Sequence, residues 1–101
     1  MIIREWRGRA TLSNPECYPK HFRDHVAPDL RNMPGFVGAS VSQRSVNGKI
    51  EFLVLTRWES LDCIKSFAGS DIAKAVVEPG AVAALVDFDD TVQHYECLEE
   101  I

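Results

Sequence analysis

No apolar run in this 101-residue chain is long enough to cross a bilayer; the longest, Gly80–Val86, is short and rich in alanine, against the roughly 20 residues a membrane helix needs. Positive charge is also scarce. Eleven Lys and Arg stand against fifteen Asp and Glu, for a net charge of −4. The basic residues are scattered apart from Arg4, Arg7 and Arg9, so the clustered cations that bind phosphate backbones are missing. Neither nucleic acid nor a membrane is an expected partner. The three cysteines, Cys17, Cys63 and Cys97, make neither an even set nor a CxxC pair, which excludes a disulfide framework. The first residues lack the charged-then-apolar layout of a signal peptide, and reduced thiols in a cytoplasm are the expectation. No GxSxG, P-loop, GxGxxG, Ser-His-Asp order or metal-type cluster occurs, which argues against hydrolase, kinase and nucleotide-dependent dehydrogenase chemistry.

With 46% hydrophobic residues, residues 1–101 are enough for one small domain with a real core. Ile2 to Thr11 reads as a strand, with Ile3, Glu5, Arg7 and Arg9 on one face and Ile2, Arg4, Trp6, Gly8 and Ala10 on the other. Ser13 or Asn14 is the expected cap of a helix with Pro15 in its first turn. Tyr18, Phe22, Val26 and Leu30 recur every four residues as its buried stripe, and Pro28 predicts a kink or break near Ala27. After the turn at Met33-Pro34-Gly35, a strand over Phe36–Arg44 and another over Glu51–Trp58 flank Asn47-Gly48, a strong hairpin signal. Ser60 caps a second helix bearing Leu61, Ile64 and Phe67 on one face, and Gly69 ends it. Asp71–Val77 reads as a short helical segment, Ala81–Val86 as one or two further helical turns, and Thr91–Leu98 as a last strand.

The resulting order is β-α-β-β-α-β. It predicts an α+β, ferredoxin-like sandwich with both helices on one face of a four-stranded antiparallel sheet. In the Trp58 strand, Phe52, Val54, Thr56 and Trp58 share one face while Leu53, Leu55 and Arg57 share the other. Both faces are mainly apolar, so the strand is expected to be covered twice, the second time by another copy of the chain packing sheet to sheet.

Four segments carry a resemblance to a known family: WRGRA (Trp6–Ala10), PGFVGA (Pro34–Ala39), EFLVLTRWES (Glu51–Ser60) and DDTVQHYE (Asp89–Glu96). With the element order, they make the chain similar to the antibiotic biosynthesis monooxygenase-like domains of the dimeric α+β barrel superfamily, over nearly its whole length. The resemblance implies a homodimer, a pocket between sheet and helices in each subunit, and oxidation of aromatic polyketides or quinols by O2 with no cofactor, neither metal nor flavin. Heme-degrading relatives carry a histidine after the second helix. Ser70–Val77, SDIAKAVV, offers Val76 and Val77 there, so heme breakdown is not expected. In the polyketide-oxidising branch a polar Asn accompanies the strand tryptophan; this chain has Val54 in that place beside Trp58.

The candidate site follows from side-chain chemistry. His94 is the preferred general base, because imidazole takes up protons near neutral pH and cofactor-free oxygenation starts from a substrate anion; a strand histidine at the dimer interface is the bland alternative. Trp58 is a candidate wall of an aromatic pocket and a donor to a substrate carbonyl, against a plain corner tryptophan. Trp6 supplies an opposite wall, and Phe52, His21 and Phe22 complete the lining. His21 and His25, four apart on a helix, are too few for a metal site. Arg4, Arg7 and Arg9 are read as cross-strand ion pairs with Glu51 and Glu96 rather than a clamp for an acidic substrate. The expected activity is cofactor-independent oxygenation of a small phenolic or quinone-like molecule. The runners-up are non-catalytic small-molecule or stress-related binding, and isomerase or cyclase chemistry in the same pocket.

Overall fold

Asn47 and Gly48 both adopt left-handed backbone angles, with φ of 50° and 74°, the conformation a two-residue hairpin turn needs to match the twist of its strands. This turn joins β2 (Phe36–Val46) to β3 (Lys49–Trp58), so both strands run further toward the turn than the sequence pattern predicts. In the computed structural model, which describes residues 1–101, β1 (Ile2–Thr11) lies antiparallel along the whole of β3, from Ile2 opposite Trp58 to Thr11 opposite Lys49. The free side of β1 is shared by two short strands, β4 (Asp87–Phe88) and β5 (Gln93–Glu96). The sheet thus has five strands in four lanes, β2-β3-β1 and then β4 or β5. The expected final strand, Thr91–Leu98, is shortened to β5, since the Val92 N–H turns to the Ala73 carbonyl, and β4 is a further short strand ahead of it.

One sheet face carries Arg4, Trp6, Gly8 and Ala10 beside Phe52, Val54, Thr56 and Trp58, and the helices pack on it. Trp58, Phe52, Leu30 and Ile64 are its most deeply buried large side chains. Helix α3 (Leu61–Ala68) starts as the sequence indicates: the Ser60 hydroxyl accepts the Cys63 N–H at 3.3 Å, and Gly69 ends the helix at φ 87°. The first helix differs. It begins at Glu16 with no side-chain cap, and Asn14 instead accepts from the Cys17 thiol. It runs as α1 (Cys17–His21), a π turn (Phe22–Val26) and α2 (Ala27–Arg31). Pro28 has no N–H to offer Asp24, and the helix absorbs the loss by widening: the Ala27 N–H reaches back five residues to the Phe22 carbonyl. The expected break near Ala27 is therefore a change of winding.

The segment Asp71–Val77 is not helical. Lys74 bridges Thr91, and the Ala75 N–H donates to the Asp90 carbonyl, so tertiary pairing overrides a weak local preference. Helix α4 (Pro79–Ala84) starts two residues before the expected position, with Pro79 in its first turn.

The opposite sheet face has no helix over it. At one end it carries an ionic lattice: Arg9 pairs with Glu51, Asp87 and Asp89, Arg44 and Arg7 also reach Glu51, and Lys49 reaches Asp87. Hydrogen bonds from Arg44 and Arg9 hold the Glu51 carboxyl below its ordinary range, and those from Lys49 and Arg9 do the same for Asp87. Along the rest of that face Ile3, Leu53 and Leu55 are only half-buried and Tyr95 is exposed. None of the helices is long and apolar enough to cross a membrane.

Candidate functional site

Between the helices and the sheet lies a cavity of about 270 Å³. Its helix wall is the four-residue stripe Tyr18, Phe22, Val26 and Leu30; the sheet supplies Arg4, Trp6, Val54 and Thr56, and Phe67, Val76, Val77 and Ala81 close the sides. Gly8 lets the Trp6 ring lie flat against its own strand, since a Cβ there would sit 2.9 Å from that ring. The Trp6 indole N–H is committed to the Asp89 carbonyl at 2.7 Å.

The expected site residues separate into three groups. Trp6, His21 and Phe22 line the cavity. Trp58 and Phe52 do not. Trp58 is fully buried behind the wall, stacked on Phe67 at 5.2 Å and edge-on to Phe36, and its N–H donates to the Thr56 hydroxyl at 2.9 Å. Its donor is consumed inside the protein, and Thr56 and Phe67 stand between it and any ligand. Phe52 packs against Tyr18 in the core and borders a separate groove beside β2. The third group is His94 alone. It lies outside the cavity, behind Arg4, with Nε2 3.0 Å from a guanidinium nitrogen. Guanidinium can only donate, so the His94 Nε2 lone pair is already engaged and its proton sits on Nδ1. Burial, reinforced by the Arg4 charge, pulls the His94 pKa below its ordinary value.

His21 has the opposite character. Its side chain is 10% exposed, and Nε2 is the one buried side-chain nitrogen or oxygen in the chain with no hydrogen-bond partner. Glu78 Oε2 is 3.6 Å away, beyond hydrogen-bond length. The ring is wedged against Gly80 on α4, where any side chain would strike it. Tyr18 flanks it at 6.3 Å between ring centroids. Burial first, then the charge of Glu78, raises the Tyr18 pKa, so the phenol stays protonated at neutral pH. His25 lies beside His21 with ring centroids 5.5 Å apart and the rings tilted by 34°, but no group of three or more His, Cys, Asp or Glu side chains is placed to hold a metal ion.

Arg4 was missed as a lining residue. The first-strand arginines read alike as ion pairs, yet only Arg7 and Arg9 make them. Arg4 has even parity on β1, with Trp6, and this places it on the helix side of the sheet. That parity is the signal that could have found it. Glu78, Val76 and Val77 were hidden because the segment before α4 is extended rather than helical.

Solved structures share this fold. The chain is similar to a candidate antibiotic biosynthesis monooxygenase from Bacillus cereus (TM-score 0.69, 19% identity, covering 100% of this chain and 96% of that one). It is also similar to one from Deinococcus radiodurans (TM-score 0.62, 21% identity, 100% and 96% covered). A third is the heme-degrader MhuD of Mycobacterium tuberculosis, seen with two hemes in its active site (TM-score 0.64, 21% identity, 100% and 99% covered). At these identities the likeness establishes the fold. No curated protein matches the chain. The profile of the antibiotic biosynthesis monooxygenase family matches residues 16–79, more than half of the chain and the part that carries the helix wall, the hairpin and α3, and the chain belongs to that family.

Proposed function

We propose that the chain is a cofactor-independent oxygenase that binds one small phenolic or quinol-type aromatic in the cavity and uses His21 as the base. The observation that carries this reading is the unpartnered His21 Nε2 inside a mainly apolar chamber. An imidazole nitrogen that no protein group engages is suited to removing a phenolic or benzylic proton. Glu78 stabilises the imidazolium that results. The substrate anion then passes an electron to O2, and the radical pair joins at carbon to form a peroxide. His21 returns its proton to that peroxide, and loss of water leaves a carbonyl. For a ring methylene the sum is one methylene and one dioxygen giving one carbonyl and one water, the carbon oxidised by four electrons and dioxygen reduced by the same four. The aromatic faces of Trp6 and Phe22 stack on the ring.

A volume of about 270 Å³ is below the roughly 300–1,000 Å³ of drug-sized sites and suits a compound of one to three rings better than a porphyrin. Val76 and Val77 line the cavity, so this stretch brings no iron ligand to it. The half-buried Ile3, Leu53 and Leu55 with exposed Tyr95 support a homodimer joined through the open sheet face.

Oxygen uptake with a panel of hydroquinones and anthrone-type compounds tests the reading. Uptake is expected from wild type and from His94→Gln, with a loss of at least 100-fold in His21→Gln. Equal loss in His94→Gln would return the base role to His94. Conversion under argon would indicate isomerase or cyclase chemistry, and binding without turnover a carrier. A Soret shift on titration with hemin at one equivalent would replace the small aromatic with a porphyrin.

A further inference from the structure

Arg4 is 5% exposed and carries a full positive charge into the cavity wall, yet nothing acidic pairs with it. Its hydrogen bonds go to the Ile72 carbonyl at 2.7 Å, the Lys74 carbonyl at 3.0 Å and His94 Nε2 at 3.0 Å, and its Cζ lies 5.8 Å from the centre of the Phe67 ring. Every one of these partners is neutral. Burial alone acts on its ionisation, drawing the guanidinium down to about 10, with no contribution from any carboxylate. Arg9, by contrast, holds three carboxylates from neighbouring segments on the opposite face, whereas none reaches Arg4.

A desolvated charge without a counterion is strongly unfavourable. Three of the five guanidinium N–H groups are taken by the two carbonyls and His94, which leaves two donors. The carbonyls come from the turn at Ile72–Lys74, closed by the Lys74 N–H donating to the Asp71 carbonyl, and they fix the plane of the guanidinium. His94 can take part only while neutral.

We propose that the cavity binds an anionic aromatic, with the ligand's oxyanion, a carboxylate or phenolate, held by the two remaining donors of Arg4. The ligand supplies the counterion that the chain lacks, and Phe67 and Trp6 take the ring. The other charged lining groups, Asp29 and Glu78, repel an oxyanion, and Glu78 stands against His21. They orient the ligand with its charge at Arg4 and its acidic proton toward His21. This assignment rests on the same cavity as the oxygenase reading and names the substrate class, but requires no turnover.

Isothermal titration under argon with 2-naphthoate and 2-naphthamide, which share a shape and differ in charge, tests it on the full chain. Wild type is expected to bind the carboxylate at least ten-fold more tightly than the amide. Arg4→Gln is expected to reduce the ratio to within two-fold, and Arg4→Lys to retain part of it. Titration with 2-naphthol below and above its ionisation separates a phenolate from a carboxylate preference, since tightening only on ionisation of the naphthol assigns the phenolate. Equal affinity of wild type for all neutral and ionised probes, no binding of any of them at millimolar concentration, or a preference unchanged in a folded Arg4→Gln would overturn the proposal. If Arg4→Gln does not fold, the wild-type ratio decides. An anion preference without oxygen uptake from any quinol would sink the oxygenase reading alone; uptake from neutral quinols without that preference would sink this one alone.

Discussion

Replacing Gly80 by alanine moves the His21 ring without altering its chemistry. A Cβ at Gly80 would lie 2.7 Å from both Cε1 and Nδ1 of His21, whereas ordinary contact begins at 3.4 Å, so the imidazole must retreat by about 0.7 Å. Gly80 lies in α4 and its φ is not positive, so alanine fits the backbone and favours the helix by about 0.5–1 kcal/mol. Crowding against a 10% exposed ring costs about 1–3 kcal/mol. The two offset, and the net loss of stability should stay within about 2.5 kcal/mol. A reacting group displaced by about 1 Å costs on the order of 100-fold in rate, so kcat/KM should fall by roughly 10- to 100-fold. Urea denaturation would measure the first quantity, and oxygen-electrode rates with the best quinol of the panel the second. A folded Gly80→Ala protein with kcat/KM within two-fold of wild type would refute the placement of His21 at the reacting centre.

Thr56→Val should destabilise by about 1–3 kcal/mol in a urea titration, because the fully buried Trp58 N–H loses its acceptor. His94 accepts from Arg4 only when neutral and its folded pKa is depressed, so the unfolded chain binds the proton more readily. Stability is therefore full above about 6.5, the usual imidazole value, and declines as pH falls from there toward the lower folded value. Urea midpoints at pH 5.5 and 7.5 should differ more for wild type than for His94→Gln. Leu55→Lys places a charge on the open sheet face; if the proposed homodimer joins there, sedimentation should shift from dimer in the wild type to monomer in the variant, with little change in the monomer's fold.

The hairpin turn and the two ends of α3 were legible because each rests on local chemistry. Asn47-Gly48, Ser60 and Gly69 dictate their own backbone geometry wherever the rest of the chain goes. Asp71–Val77 was not legible, since its backbone satisfies itself against Asp90–Val92, a partner that sequence proximity does not reveal. Trp58 shows a second limit. Alternation places it on the helix side of β3, but not at what depth; α3 brings Phe67 over it, and Thr56 takes its N–H. Arg4 shows the reverse case, in which parity already separated one arginine from its neighbours and composition alone obscured it.

The π turn over Phe22–Val26 bears on how the cavity can be reshaped. In an α-helix of 3.6 residues per turn, side chains spaced by four advance about 40° at each step, so a stripe of four such residues would wind away from a flat sheet. Wider winding between Phe22 and Val26 cancels part of that drift, and Tyr18, Phe22, Val26 and Leu30 all reach one cavity. Pro28 touches no ligand space, yet it governs the pitch of the wall. Restoring an N–H at that position would tighten the turn and rotate Tyr18 and Phe22 relative to Leu30, changing the chamber's width while leaving every lining residue in the sequence.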